Sequence, residues 1–188
     1  SVFESFPGKL SLSSCTDLLP DGWTCTRNKL RNVVEALNSD YTIDCCRDFD
    51  MSGVYLGGIT KSQTGRDFTN AIWHRTHGNA VNFQSATLSP EYKVFKLISA
   101  DTTGSHVLLG PRVTIRNRDL TDLNITGTNL TGTILSGSTM SWRADKNANE
   151  TVGCPSGLPD EYTCLKKNTS NTAFSYEDII VVGPFMDL

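Results

Sequence analysis

Large apolar residues recur at every fifth position through one stretch of the chain, and this period restricts the fold more than any other feature. A five-residue period matches neither the 3.6-residue period of a helix nor the two-residue period of a flat strand. It is typical of a chain that turns a corner every five residues and sends one large side chain inward on each face. The stretch contains Ile115, Leu120, Ile125, Leu130, Leu135 and Met140.

The positions beside this series are also regular. An acid or amide precedes three of the inward residues, at Asp119, Asn124 and Asn129. A small hydroxyl residue follows the last five of them, at Thr121, Thr126, Thr131, Ser136 and Ser141. A second series follows Asp48 and contains, with a one-residue slip, Phe49, Val54, Ile59, Phe68, Trp73, Gly78, Phe83 and Leu88. The five-residue pattern therefore covers 48–88 and 111–140.

The repeated block is a small residue, an Asp or Asn and a central Leu or Phe, and in this the sequence resembles the pentapeptide-repeat family. The resemblance implies an all-β fold, a right-handed β-helix or solenoid in which four blocks make one square turn. Three blocks depart from the family pattern, because Arg47, Arg66 and Arg118 stand where it has a small residue. A long cation fits poorly in a narrow core, so we expect these blocks at a coil entrance or an irregular corner.

The cysteines indicate disulfide bonds and an oxidising compartment. Four of the six form two pairs of equal spacing, and this spacing is unlike that of zinc sites. We therefore expect disulfide-closed turns in an extracellular or cell-surface protein, because cytosolic thiols stay reduced. For the adjacent Cys45 and Cys46 three states are open: a vicinal bridge, a link to another chain, or buried free thiols. The two predicted pairs are Cys15 with Cys25 and Cys154 with Cys164.

The same spacing belongs to a longer internal repeat. A shift of 139 residues, from Cys15 to Cys154, superposes both cysteine pairs and a Leu-Pro-acid-aromatic turn. A weaker copy of the turn follows Leu88, so we expect one continuous array with unit one at 1–83, unit two at 84–153 and a truncated unit three at 154–188. We expect the aromatic residue of each turn to pack beside proline or cysteine. These residues are Trp23, Tyr92 and Tyr162, and two units contain Gly110-Pro111 and Gly183-Pro184.

Charge and motifs argue against several functions. The net charge is −3 and the 17 Lys and Arg residues are scattered, unlike those of a nucleic-acid-binding face. No apolar run is long enough to span a bilayer, so we expect no membrane insertion. The sequence has no nucleophile elbow, P-loop, dinucleotide fingerprint or helical zinc motif, which favours a non-enzyme without cofactor or metal.

Some polar residues suggest metal or glycan sites. We expect His74 and His77 to be exposed at different outward positions, which makes joint metal binding awkward. Calcium needs six or more oxygens from a shaped loop, so paired carboxylates beside an inward residue are expected to form solvated corners. These carboxylates are Asp48, Asp50, Asp119 and Asp122. The candidate sites for N-linked glycans are Asn124, Asn129, Asn149 and Asn168.

The sequence predicts a non-catalytic structural repeat protein of an extracellular filament, appendage or surface layer. The alternative is an adhesin that binds carbohydrate or another cell surface. Leu188 aligns with Phe49 and Ile115, the first inward residues of two blocks, so we expect an unfinished strand edge there. Such an edge would pair with another copy of the chain in a head-to-tail homo-oligomer or filament. The predicted assembly interface consists of Val2, Phe3, Phe6, Phe185 and Met186.

Overall fold

The computed structural model describes residues 23–26, 29–39, 46–47, 49–98, 105–145, 153–171 and 174–184. Within these ranges the protein is mostly sheet, with little helix and with short strands. The strands are β1 Trp23–Thr26, β2 Lys29–Asn32, β3 Asp67–Phe68, β4 Thr87–Leu88, β5 Lys93–Lys96, β6 His106–Leu109, β7 Ser141–Asp145, β8 Thr163–Asn171 and β9 Phe174–Val182. The helix α1 spans Val33–Asn38, and 3₁₀ turns lie at Leu56–Gly58 and Val81–Phe83.

These strands form four small sheets. β1 pairs with β2 and β5 with β6, both antiparallel, whereas β3 and β4 are parallel. β9 lies antiparallel between β7 and β8. Across the described residues the strands close no solenoid, so the prediction of a right-handed β-helix is wrong. The coarser prediction of a β-rich fold that contains a disulfide is confirmed.

Between the sheets, parallel segments of the chain are joined by single bridges. Asp119, for example, bridges Thr139, which lies twenty residues further along. The backbone has a positive φ at Gly127, Gly132 and Gly137, every fifth residue. Glycine adopts this conformation at little steric cost, and the turn it makes ends an extended segment. Along the chain, the antiparallel hairpin β5–β6 separates the stacked segments of 49–88 from those of 111–140, so the stacking does not run on as one continuous coil.

The five-residue series nevertheless lies at the centre of the core. All six residues from Ile115 to Met140 in that series are buried, and the middle four are fully excluded from solvent. Burial of each such side chain contributes about 1.5 to 3 kcal/mol to folding. The inward register is therefore confirmed, although the coil around it is not. In the earlier series the buried members are Phe49, Val54, Ile59, Phe68, Trp73 and Phe83.

A second buried column consists of small hydroxyl residues two positions before the inward ones. Thr128, Thr133 and Ser138 are all buried. The Thr133 hydroxyl donates to the carbonyl of Gly110 at 2.8 Å, and the Ser138 hydroxyl donates to that of Ile115 at 3.4 Å. Each of these two bonds joins one segment to the segment stacked on it, which satisfies polar groups that burial would otherwise destabilise.

Helix α1 lies against one end of these segments, and Arg66 holds it there. Arg66 is only 7% exposed. Its guanidinium donates to the carbonyls of Leu37 and Ser39, at 3.2 and 3.3 Å, and to Oε1 of Gln63 at 2.9 Å. The free carbonyls at a helix C-terminus carry partial negative charge, which the cation offsets. Arg66 can therefore stand where the pentapeptide pattern has a small residue, because the carbonyls at the end of α1 accept hydrogen bonds from its guanidinium.

Two tyrosines close the hairpins β5–β6 and β8–β9 in the same way. The ring of Tyr92 lies against Gly110, where a Cβ would approach its Cδ1 to 2.2 Å, and Tyr162 lies against Gly183 with the same spacing. Each hydroxyl donates to the carbonyl of the proline that follows the glycine, at 3.4 and 3.0 Å respectively. In both hairpins the residue after the tyrosine pairs with the residue before the glycine. Both rings therefore pack against glycine, and each neighbouring proline takes part through its backbone carbonyl; packing of the rings on a proline or cysteine side chain stays a prediction.

Unit one does not share this closure within the described residues. Trp23 pairs with Asn32 in the short hairpin β1–β2, and α1 follows at once. The aligned stretch of unit three is the uninterrupted strand β8. The aligned sequences of these two units therefore adopt different structures, and the unit boundaries themselves stay a prediction.

The buried series can be tested with adjacent substitutions. Leu130→Ala should lower the free energy of unfolding by about 2 to 5 kcal/mol, because the site is fully buried and the change leaves a cavity. Thr131→Ala, at the exposed neighbouring position, should change it by less than about 0.5 kcal/mol. Urea titration measures both values. Equal shifts in the two variants would contradict the inward register.

The tyrosine closure can be tested by a double-mutant cycle. Gly110→Ala should destabilise the protein by about 1 to 3 kcal/mol, because the new methyl group meets the Tyr92 ring. The cost should largely disappear in a Tyr92→Ala background. Gly58→Ala is the matched control, since its nearest neighbour would lie at 3.4 Å. Additive effects in urea titrations of the four proteins would show that the ring and the glycine are not coupled.

Candidate binding cleft

A cleft of about 640 Å³ opens across the stacked segments. Its walls come from five parts of the chain that are separate in sequence. The parallel bridges Tyr55–His77 and Thr114–Ile134 fix how these parts align. The polar and aromatic residues that line it are Tyr55, Arg75, His77, Thr114, Arg116 and Arg118.

The Tyr55 ring is 55% exposed and yet has a fixed position. It lies over two glycines: a Cβ on Gly57 would come within 2.5 Å of the ring, and one on Gly78 within 2.6 Å. Gly78 also has a φ of 97°, a conformation that other residues rarely adopt. The two glycines allow the ring to lie flat along the backbone instead of pointing into solvent.

His77 forms the other side of this aromatic surface. Its ring centroid lies 5.4 Å from that of Tyr55, with the planes tilted by 39°. Nδ1 of His77 is 3.3 Å from the carbonyl oxygen of Arg75. A carbonyl oxygen can only accept, so Nδ1 carries the proton in this hydrogen bond and orients the ring. His77 is exposed, as predicted.

Arginines supply the charge of the cleft. Arg116 is exposed and Arg118 half-buried; they stand on either side of Asn117, where the backbone bends with a φ of 52°, and both line the cleft. Arg75 has a φ of 58° and lines the same space. The lining residues include no Asp or Glu. Among the described residues, no carboxylate forms an ion pair with Arg116 or Arg118. The cleft is therefore locally positive on a chain of net charge −3.

The disulfide between Cys154 and Cys164 is present, with a Cα–Cα distance of 5.9 Å, as its spacing predicts. Cys46 is also disulfide-bonded and buried, which removes a free thiol from the alternatives at that position. Cys15 and Cys45 lie outside the described residues, as does the side chain of Cys25. The predicted pairing of Cys15 with Cys25 stays a prediction.

The acids and amides that precede inward residues have a structural role. Asp119 accepts hydrogen bonds from the Thr121 amide at 3.0 Å and from the Thr139 hydroxyl at 2.8 Å. The Thr121 side chain, the Thr121 amide and the Thr139 hydroxyl together lower the pKa of its carboxyl group. Asn124 and Asn129 accept from the amide two residues ahead in the same way. Such side chains stabilise the turns between segments.

No group of three or more His, Cys, Asp and Glu side chains that could hold a metal ion occurs in the described ranges. His74 and His77 belong to different surfaces, since His77 lines the cleft and His74 lies beside Tyr92 in another depression. His74 is half-buried there, so the prediction that it is exposed is wrong. Of the carboxylates suggested for calcium, Asp48 lies outside the described residues. Asp50 accepts from the amide of Ser52, and Asp122 is exposed.

The described residues include only some of the positions predicted for glycans. Asn124 is exposed and Asn129 is half-buried beside Gly157. Asn149 and the side chain of Asn168 lie outside the described part of the chain. The same holds for the predicted assembly residues Val2, Phe3, Phe6, Phe185 and Met186. No helix in the described ranges is long and apolar enough to cross a membrane.

Comparison with protein-family models, curated proteins and solved structures finds no match for this chain. The resemblance to the pentapeptide-repeat family has no support from these comparisons. It rests on the residues that suggested it and stays a prediction. The functional argument therefore depends on the geometry of the chain itself.

The carboxylates also determine how the fold responds to acid. Hydrogen bonds from Thr69 and Arg47 lower the pKa of Asp67 to about 2. A carboxyl group whose pKa is lower in the folded state stabilises the protein above its unfolded pKa, and this contribution is lost as pH falls through the folded value. We expect stability to decline between pH of about 4 and about 2.

Asp67→Asn isolates this effect. The variant should be less stable than the parent protein at neutral pH, and the difference should shrink towards pH of about 2. Asp122→Asn, at an exposed turn, is the matched control and should follow the parent within about 0.5 kcal/mol throughout. Urea titrations at several pH values measure the differences. A difference for Asp67→Asn that does not vary with pH would contradict the role of its carboxylate.

Proposed function

We propose that this chain is a non-catalytic structural module of an extracellular filament, appendage or surface layer. The observation that carries the proposal is the repeated closure of two hairpins by Tyr92 on Gly110 and by Tyr162 on Gly183. Repeated rigid units that contact mainly their neighbours are typical of proteins that build extended assemblies. Along the chain, the stacked segments lie between these two hairpins and connect one to the other.

The compartment supports the same proposal. The disulfide between Cys154 and Cys164 and the bonded state of Cys46 indicate a non-cytosolic environment. An exposed structural protein benefits from covalent closure, because closing a loop of about ten residues restricts the unfolded chain and stabilises the fold by about 2 to 3 kcal/mol. An extracellular location is the form of this environment that we propose.

A second candidate is an adhesin that binds carbohydrate or another cell surface. The observation that favours it is the cleft around Tyr55, in which an exposed ring lies beside Arg116 and Arg118, two arginines that form no ion pair with a carboxylate of the described residues. The two functions are compatible in one surface protein, since the cleft and the hairpin closures involve different residues.

Self-assembly tests the structural proposal. We expect the average mass in light scattering to rise with concentration, and negative-stain images to show filaments with a constant axial repeat. Phe185→Asp, at a predicted interface residue, should reduce the mass. Ile98→Asp is the matched control, because Ile98 is 63% exposed and has no predicted interface role. A strictly monomeric chain at high concentration would contradict assembly, as would equal effects of the two substitutions.

A further inference from the structure

We propose that the cleft binds an acidic saccharide. One sugar ring lies on the Tyr55 face, and its carboxylate or sulfate group binds Arg116 and Arg118. This inference rests on the second candidate function, the adhesin, whose ligand class it names, and it is independent of the structural function. It identifies the kind of surface polymer that the module contacts, which is an anionic polysaccharide.

The aromatic surface suits a sugar ring because it is flat, exposed and already ordered. A pyranose presents a face of C–H groups that packs on an aromatic ring. Gly57 and Gly78 leave room for the Tyr55 ring along the backbone, and His77 contacts it from the side. A ring that is packed against its neighbours before binding has less conformational entropy to lose when the ligand arrives.

The arginines determine the charge of the ligand. A guanidinium binds a carboxylate or sulfate through two parallel N–H donors, which gives both strength and orientation. Arg116 and Arg118 have no carboxylate partner among the described residues, and no Asp or Glu lines the cleft to compete. An anionic group on a ligand therefore meets two guanidinium groups without displacing an internal ion pair.

The size and surroundings of the cleft favour an acidic sugar over a nucleic acid. A volume of about 640 Å³ accommodates a small ligand, which corresponds to one or two sugar rings of a longer chain. Nucleic-acid binding requires a series of cations that follows the phosphates. The chain has a net charge of −3, and the cleft contains three arginines instead of an extended series of cations. The disulfide also places the protein where acidic polysaccharides occur.

Calorimetric titration with four probes tests the ligand class. Tetragalacturonate supplies carboxylates and a chondroitin sulfate hexasaccharide supplies sulfates as well, so the two distinguish the anionic groups. Maltotetraose is the neutral control and an oligothymidylate of twenty nucleotides represents nucleic acid. We expect at least one acidic saccharide to bind, the neutral sugar to bind at least about tenfold more weakly, and high salt to weaken binding.

Variants connect the binding to the cleft. Arg116→Ala with Arg118→Ala should weaken acidic-saccharide binding by about tenfold or more. Tyr55→Ala should weaken it comparably, whereas Tyr55→Phe keeps the ring and should stay within about threefold. The matched control is Lys93→Ala with Lys96→Ala, which removes the same charge from exposed positions on β5 outside the cleft. Melting curves confirm that each variant is folded.

Several outcomes would overturn the proposal. Equal affinity for maltotetraose would show that the arginines do not select charge. An equal loss in the lysine control would show binding by overall charge alone. Tighter binding of the oligothymidylate through the same residues would assign the cleft to nucleic acid. Absence of binding by both acidic probes would refute the site, and the assembly experiment would still decide the structural function separately.

Discussion

The backbone hydrogen bonds between stacked parallel segments are the interaction on which the rest of the structure depends. Ile115 donates to Ile134 at 2.7 Å, and Ile134 donates in turn to Val113 at 3.0 Å. Such bonds fix the register of each segment against the next. The register then sets which side chains meet inside and which lie side by side outside. The buried apolar series, the hydroxyl column and the cleft are all results of one alignment.

Some features of the structure depend on local sequence and others on the register between stacked segments, and the sequence could predict only the first kind. The inward residues follow from local periodicity, so Leu120, Ile125 and Leu130 could be placed in the core from the sequence. The Cys154–Cys164 disulfide follows from a repeated spacing. The continuous coil was wrong because periodicity describes where side chains point and does not show where the chain leaves the stack. The antiparallel hairpin β5–β6, for example, interrupts the parallel stacking that the pattern alone would extend.

The cleft could not be predicted for a related reason. Tyr55, His77 and Arg116 are far apart in sequence, and only the stacking register brings them together. Taken singly, each is an ordinary surface residue. One feature of the sequence points to the cleft: Gly57 follows Tyr55 by two residues, and its missing Cβ leaves room for the tyrosine ring. Arg66 is a second example. The sequence showed that it departs from the five-residue pattern, but not that its guanidinium donates to a carbonyl at the end of α1.

The tyrosine closures have a consequence for how such a chain changes over evolutionary time. Because the ring of Tyr162 fills the space where Gly183 would carry a side chain, neither residue can drift alone without a steric conflict or a cavity. The pair should be inherited or lost together, unit by unit. A duplicated unit that loses its tyrosine becomes free to replace its glycine and then to acquire another closure. At the aligned positions of the predicted unit one, Trp23 stands where the tyrosine would be, and the chain there forms the short hairpin β1–β2 followed by α1.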